Sequence, residues 1–308
     1  MKFYLKTLAI VCIAILSCCS SNDNENSITD DDSTIRLKKI IVLNPADEIL
    51  IEQEIIYSTE NRLSQTIAKS IASGNVETIN YIYNTNGQII GYGQNSFSYN
   101  ANGKIDRMTR NNLTFQFMYN NLNQLSQVDI LDSSSTLKSS QVFTYNTQGQ
   151  LVESATTQPN STDQYRFTLA YNSLGMETTV TNYRSINGNA EENHFTRNYA
   201  YSEIDSPFKV IIDNFNSNSD QFPSQPSLLY RDMGIADLNP DFFTLNFLSN
   251  KLKSLVTFQN LANNSSQSSM LTIEVENNLV TKINRLLLNS DGTSTELNYQ
   301  FEYETYTP

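Results

Sequence analysis

Few side chains in this chain could carry chemistry. It contains one histidine, His194, three cysteines and no tryptophan. A Ser-His-Asp or Cys-His nucleophile would have to use His194, which sits in Glu191-Glu192-Asn193-His194-Phe195 near Gly188. Such catalysis is defined by mutual geometry, which one residue does not supply, and the position reads as a surface or strand-end histidine. Zinc sites built on two or three histidines are excluded within one chain. Paired carboxylates, Glu191 with Glu192 or Glu302 with Glu304, could act as the acid and base of a glycosidase, but both read as solvent-facing charges. Asp30-Asp31-Asp32 could hold calcium weakly, yet lacks the glycine and terminal glutamate of an EF-hand loop. No glycine-rich phosphate loop of specific form occurs. The expectation is no catalytic residue, no metal and no cofactor, with a carboxylate-dependent hydrolase as the least supported reading.

The cysteines point elsewhere. Cys12, Cys18 and Cys19 all lie in the first nineteen residues. Lys2 and Lys6 form a positive start, and Leu8 to Leu16 is an apolar run too short to span a bilayer. Residues 1–17 therefore read as an export signal. Ile15-Leu16-Ser17-Cys18 resembles a lipobox, which makes Cys18 the lipidated residue, with Cys19 as the alternative. Residues 18–34 are polar and acidic and cannot bury themselves, so they read as a disordered tether. Beyond Cys19 there is no thiol, so the remaining domain is built without disulfides. A formal charge of −12 disfavours nucleic acid as a partner.

The rest of the chain is organised by a repeat. Tyr145-Asn146-Thr147-Gln148-Gly149-Gln150-Leu151 recurs at Tyr83 and Tyr99, more loosely at Tyr119 and Tyr171, and faintly at Tyr57. The residues before each tyrosine are apolar, aromatic or β-branched and suit a half-buried strand. Asn and Gly then supply turn chemistry, and an apolar residue restarts the pattern. The unit reads as strand, hairpin turn, strand. Gly87, Gly103, Gly149 and Gly175 occupy the position that needs positive φ, and Asn61 and Asn123 replace glycine there. Starting tyrosines are 26, 16, 20, 26 and 26 residues apart, each interval fitting one up-and-down pair.

This motif resembles the YD-repeat of Rhs-type proteins, whose usual core is Tyr-Asp-x-x-Gly-Arg-Leu. Asn stands here for the Asp, and Arg occupies its family position only at Arg62. Rhs shells enclose cargo with many repeats, and the few copies here imply something smaller, closer to the degenerate-repeat lipoproteins of Bacteroidota. Tyr199 to Phe208 resembles the element that closes the repeat region in those lipoproteins, with Ser202 in place of Asp. The acidic run after the cysteines resembles their surface-export signal, and reads equally as a solvated linker.

The expected fold is all-β: an antiparallel meander of repeated hairpins forming a large curved or partly closed sheet. Residues 35–308 form one domain, with repeats over about 40–200 and a variant part from 201 to 308. Six copies at two strands each imply about a dozen strands over 40–200, and so many twisted strands must curl. Tyr83, Tyr99, Tyr119, Tyr145 and Tyr171 should line the inner face as a cross-strand ladder. Residues 207–250 should cover the open side or plug an end. The expected role is a surface-anchored lipoprotein acting as a structural or interaction module, held in the outer membrane by its lipid and exposed at the cell surface, or alternatively facing the periplasm. Its partner would be another protein or a glycan. The rival is a carbohydrate-binding accessory protein of a polysaccharide-utilisation system, for which exposed aromatic faces would be needed.

Overall fold

The computed structural model describes residues 34–205, 251–261 and 264–306. The export signal, its cysteines, Asp30 to Asp32, nearly all of the tether and the excursion at 207–250 lie outside the described residues. Strand-forming runs alternate with turns throughout. They give β1 Thr34–Leu43, β2 Ile49–Tyr57, β3 Leu63–Ser70, β4 Val76–Tyr83, β5 Ile89–Tyr92 and β6 Asn95–Tyr99. Next come β7 Ile105–Arg110, β8 Leu113–Tyr119, β9 Leu125–Leu131, β10 Leu137–Tyr145, β11 Leu151–Thr157 and β12 Gln164–Tyr171. The last six are β13 Glu177–Ser185, β14 Glu192–Asp205, β15 Lys251–Asn260, β16 Ser265–Glu276, β17 Leu279–Asn289 and β18 Ser294–Tyr306.

Every strand pairs antiparallel with its sequence neighbours, and β1 pairs with both β2 and β18. The sheet is therefore a closed barrel rather than the partly closed wall the sequence implied. Closure follows from β18, which aligns with β1 from Thr34↔Tyr306 to Leu43↔Asn298 across one bulge. Its Tyr299 and Phe301 are buried. Among the described residues, closure leaves no edge strand with unpaired backbone groups. The C-terminal strands belong to the same ring, since β15 pairs with β14.

A bulge sits at each repeat tyrosine. Thr144 opposes Glu153 and Tyr145 opposes Leu151, leaving Val152 without a partner. This resets the alternation, so the buried residues of β11 are Leu151 and Ser154, three apart, rather than two. The same spacing holds for Leu63 and Thr66, Ile105 and Met108, and Leu125 and Val128. Leu63, Ile105, Met108, Leu125, Val128 and Leu151 join Tyr81, Phe97, Phe117 and Phe143 in one apolar cluster that runs round the ring, with Thr66 and Ser154 buried beside them. On a closed wall, inward side chains converge and cover one another while outward ones splay, so the buried face is the inner one.

The barrel has two unlike ends. The six repeat turns, the Asn277-Asn278 turn, the start of β1 and the end of β18 lie at one rim. The chain also leaves β14 and returns to β15 at that rim. The turns at 44–48, 132–136, 158–163, 186–191 and 290–293 lie at the other.

Candidate functional site

One asparagine closes each repeat turn. The Oδ1 of Asn146 accepts the backbone N–H of Gln148 at 3.0 Å and of Gln150 at 2.9 Å. Gly149 N–H donates to the Asn146 carbonyl at 3.0 Å. The same bonds form at Asn84, Asn100, Asn120 and Asn172, and Ser58 Oγ accepts the equivalent pair in the first copy. The fourth residue is left-handed: φ is 77°, 77°, 79° and 76° at Gly87, Gly103, Gly149 and Gly175, and 56° and 61° at Asn61 and Asn123. A Cβ on Gly149 would also stand 3.3 Å from the Nε2 of Gln124.

This network accounts for the Asn and Gln that replace Asp and Arg. Only an oxygen acceptor is needed for the two backbone bonds, so Asn serves as well as Asp. Asn146 Nδ2 then donates to Gln150 Oε1 at 2.8 Å, as Asn84 does to Gln88 at 2.9 Å and Asn120 to Gln124 at 3.0 Å. The glutamine reaches forward in turn. Gln88 Nε2 donates to the Gly103 carbonyl at 3.1 Å and Gln124 Nε2 to that of Gly149 at 3.3 Å, while Lys104 Nζ donates to the Asn123 carbonyl at 2.6 Å. An amide pair thus does without charge what a carboxylate and guanidinium would do.

The tyrosines reach the other way. Each hydroxyl donates to the carbonyl of the first strand residue after the preceding turn: Tyr83 to Leu63, Tyr99 to Ile89, Tyr119 to Ile105, Tyr145 to Leu125 and Tyr171 to Leu151. Tyr57 likewise donates to the carbonyl of Leu37, within β1, and Tyr303 to that of Val280, the second residue of β17. These rings pack against the core cluster. Burial pushes the Tyr145 phenol up to about 12 and raises Tyr57, Tyr83, Tyr99, Tyr119 and Tyr303 as well. All stay protonated and remain donors.

The residues at this level form a ring of their own, and seven of them, on β1, β3, β5, β7, β9, β11 and β17, accept a tyrosine hydroxyl at the carbonyl. Seven are buried and aliphatic: Leu37, Leu63, Ile89, Ile105, Leu125, Leu151 and Val280. The other two carry charge. Glu177 opposes Tyr171 across the same bulge, and Lys253 opposes Tyr201. They stand on the two strands that flank β14. Lys253 is buried, its Nζ 3.9 Å from the centre of the Tyr199 ring. Glu177 is half-buried, with its Oε1 shut off from water and without a hydrogen-bond partner. Burial holds the Glu177 carboxyl above its ordinary range against the pull of Lys253 and Arg197. Burial likewise holds the Lys253 amine below its own, opposed by Glu177. Burial, and then the Glu177 charge, raise Tyr201. Perturbed groups of opposite sign in one buried place mark a candidate site. Sequence reading passed over this cluster. Its one visible signal was Glu177, at the place where other copies have Leu or Ile.

A family model of the teneurin YD-shell matches residues 8–205. The chain belongs to the teneurin YD-shell family. Among solved structures, this YD-shell chain is similar to a porin-like protein from Bacteroides uniformis. The two are 12% identical, with 87% of this chain and 96% of that one covered and a TM-score of 0.44. A porin-like protein from Bacteroides vulgatus is also 12% identical, covering 88% and 99% with a TM-score of 0.42. A TcdB2-TccC3-TEV structure is 13% identical and covers 83% of this chain and 15% of that one, with a TM-score of 0.33. No curated protein matches in sequence.

Elsewhere in the YD-shell barrel, the residues singled out for chemistry are held apart. His194 is half-buried near the start of β14, its ring 6.0 Å from that of Phe195. Burial, then Arg184, lower its basicity. Glu191 is held by Arg166, which also reaches Glu153 at 3.1 Å and lies 4.3 Å from the Tyr183 ring. Glu304 pairs with Arg36 at 2.7 Å, and Glu302 faces Lys39 across the β1–β18 register. Among the described residues, no group of three His, Cys, Asp or Glu side chains could hold a metal.

Proposed function

We propose that this YD-shell chain is a surface-anchored lipoprotein of the outer membrane whose barrel works as a structural or interaction module. The observation that carries this is the outward face. It exposes Glu54, Glu77, Asn80, Asp106 and Arg107 on the strands themselves, interspersed with apolar residues such as Val76, Ile82 and Val142. A barrel that spans a bilayer presents an apolar band about 25 Å tall. A polar wall needs another means of attachment, and the lipobox at Cys18 supplies it. In this reading the module does no catalysis, because Glu191 and Glu304 are committed to arginines. The carbohydrate-binding reading has less support: among the described residues every tyrosine and phenylalanine is buried or half-buried, so none offers a stacking platform.

Fractionation tests the anchor. The wild type is expected in the membrane fraction with label from a fatty-acid precursor, and Cys18→Ala/Cys19→Ala in the soluble fraction without it. Unchanged membrane association of the double variant would overturn the reading. Protease added to intact cells separates surface exposure from a periplasm-facing position.

A further inference from the structure

We propose that the rim bearing the repeat turns is the face that touches the anchoring bilayer. This rests on the anchored reading and adds to it which end of the barrel meets lipid. Three observations converge. First, β1 begins at this rim: Arg36 Nη1 donates to Asn61 Oδ1 of the first repeat turn at 2.6 Å. The tether therefore joins the barrel here. The fifteen residues between Cys18 and Thr34, read from their composition as a polar tether, would span roughly 20 Å, which keeps this rim within reach of the membrane surface.

Second, the turn tips at this rim suit an interface. Leu122 and Leu174 project from two of them at 78% and 75% exposure, the most exposed large apolar residues described. Their neighbours Asn121, Thr147, Gln148 and Ser173 are uncharged. Charge in the six repeat turns is confined to Glu60, which pairs with Arg62 at 2.8 Å, and Lys104. Projecting leucines among amides, with a few basic residues, match the headgroup boundary of a bilayer.

Third, the opposite rim is unsuited to lipid. Its turns carry Asp47, Glu48, Asp132, Asp163, Glu191 and Asp291; Lys138 pairs with Asp132 and Arg166 with Glu191, and the other four carboxylates keep the rim acidic. An anionic leaflet repels such a rim. The repeat turns are the less acidic of the two sets, even with Glu276 beside the Asn277-Asn278 turn, and they stand at the end where the tether arrives.

The test uses the full lipidated chain in vesicles of phosphatidylethanolamine and phosphatidylglycerol, in a Cys19→Ser background. An environment-sensitive fluorophore is placed by Leu122→Cys or Leu174→Cys, and at the far rim by Ser134→Cys or Ser290→Cys. Headgroup-level spin-labelled lipid should quench the first two strongly and the last two little. Adding Leu122→Ser to the Leu174→Cys protein should cut its quenching at least twofold. If the protein floats with vesicles but the leucine-site labels are unquenched, or the far-rim labels are quenched instead, the proposal is overturned while the anchor stands. Energy transfer between Leu122-site labels on different copies, without lipid quenching, would also overturn it in favour of rim-to-rim association. Loss of flotation would overturn the anchor, and the proposal with it.

Discussion

The arc from β2 to β12 and the junction at β13 to β15 use one geometry with different side chains. In both, a tyrosine opposes a residue near the start of the next strand across a bulge: the first at Leu151 and Glu177, the third at Lys253. In the arc that residue is aliphatic and buried. At the junction it is Glu177 and then Lys253. The backbone therefore tolerates the exchange, and the difference lies in energetics. An aliphatic residue there gains about 1.5–3 kcal/mol from burial, whereas a buried charge is tolerable only with its opposite nearby. The arc is stabilised locally, copy by copy. The junction is stabilised by two residues far apart in sequence, which must meet before either is favourable.

The largest expected effect comes from moving the charge. Leu151→Glu puts an uncompensated carboxylate into the arc and should destabilise by at least ~3 kcal/mol, the scale for a buried charge left without its partner. Glu177→Leu or Lys253→Leu alone should cost somewhat less, up to about 3 kcal/mol, whereas the double variant should return to within ~1 kcal/mol of wild type. Denaturant unfolding of the four proteins reads this directly. Additive losses in the double variant would show that the two charges do not support each other, and the comparison would collapse. pH sharpens it. The Glu177 pKa is raised on folding, so its contribution is present in acid and lost as pH rises through that pKa. The Lys253 pKa is lowered, so its contribution is present in alkali and lost as pH falls through that pKa. The stability of wild type relative to the double variant should therefore be poorest near neutrality and improve toward both extremes.

The turns should rank next and should not distinguish the two regions. Gly149→Val and Gly175→Val each place a β-branched residue at φ near 78° and should cost more than about 1 kcal/mol by thermal unfolding. A much smaller loss at Gly175 would mean that the junction copy holds its turn loosely.

The smallest effect is at the hydroxyls. Tyr145→Phe leaves the Leu125 carbonyl without its donor and should cost about 1 kcal/mol. Because folding raises the Tyr145 pKa to about 12, its contribution is intact below about 10 and lost as pH rises through 12. Absorbance at alkaline pH should show tyrosine ionisation and unfolding together. Ionisation of most tyrosines near pH 10 in a folded protein would contradict the hydroxyl ring.

The repeat was legible because its turn chemistry is local. Asn146, Gly149 and Tyr145 act within seven residues, so spacing alone locates the hairpin. Two turns of the same construction escaped notice, at Asn44–Glu48 and Asp132–Thr136, while the turn at 289–292 was legible from Asn289-Ser290-Asp291-Gly292. Their side chains make the same type of bond, as in Asp132 Oδ1 with the N–H groups of Ser134 and Thr136. They sit at the far rim, where Leu43 and Leu131 come before them and no tyrosine marks them. The closure was not legible, because it joins β1 to β18 across the whole chain and nothing near Ile35 announces a partner at Thr305. The charged pair escaped for the same reason. Glu177 is informative only beside Lys253, and 76 residues separate them.

Each tyrosine reaches back one copy and each turn glutamine reaches forward one copy, and neither reaches further. A duplicated hairpin inserted into the arc would therefore find both of its partners already in place, and its neighbours would keep theirs. Such a barrel can lengthen or shorten its circumference two strands at a time, by about 10 Å per step, without redesign of any existing contact. The two charged positions are exempt from this freedom, because a hairpin inserted between them would separate Glu177 from Lys253. Variation in copy number among relatives should then fall between β2 and β12 and spare β13 to β15.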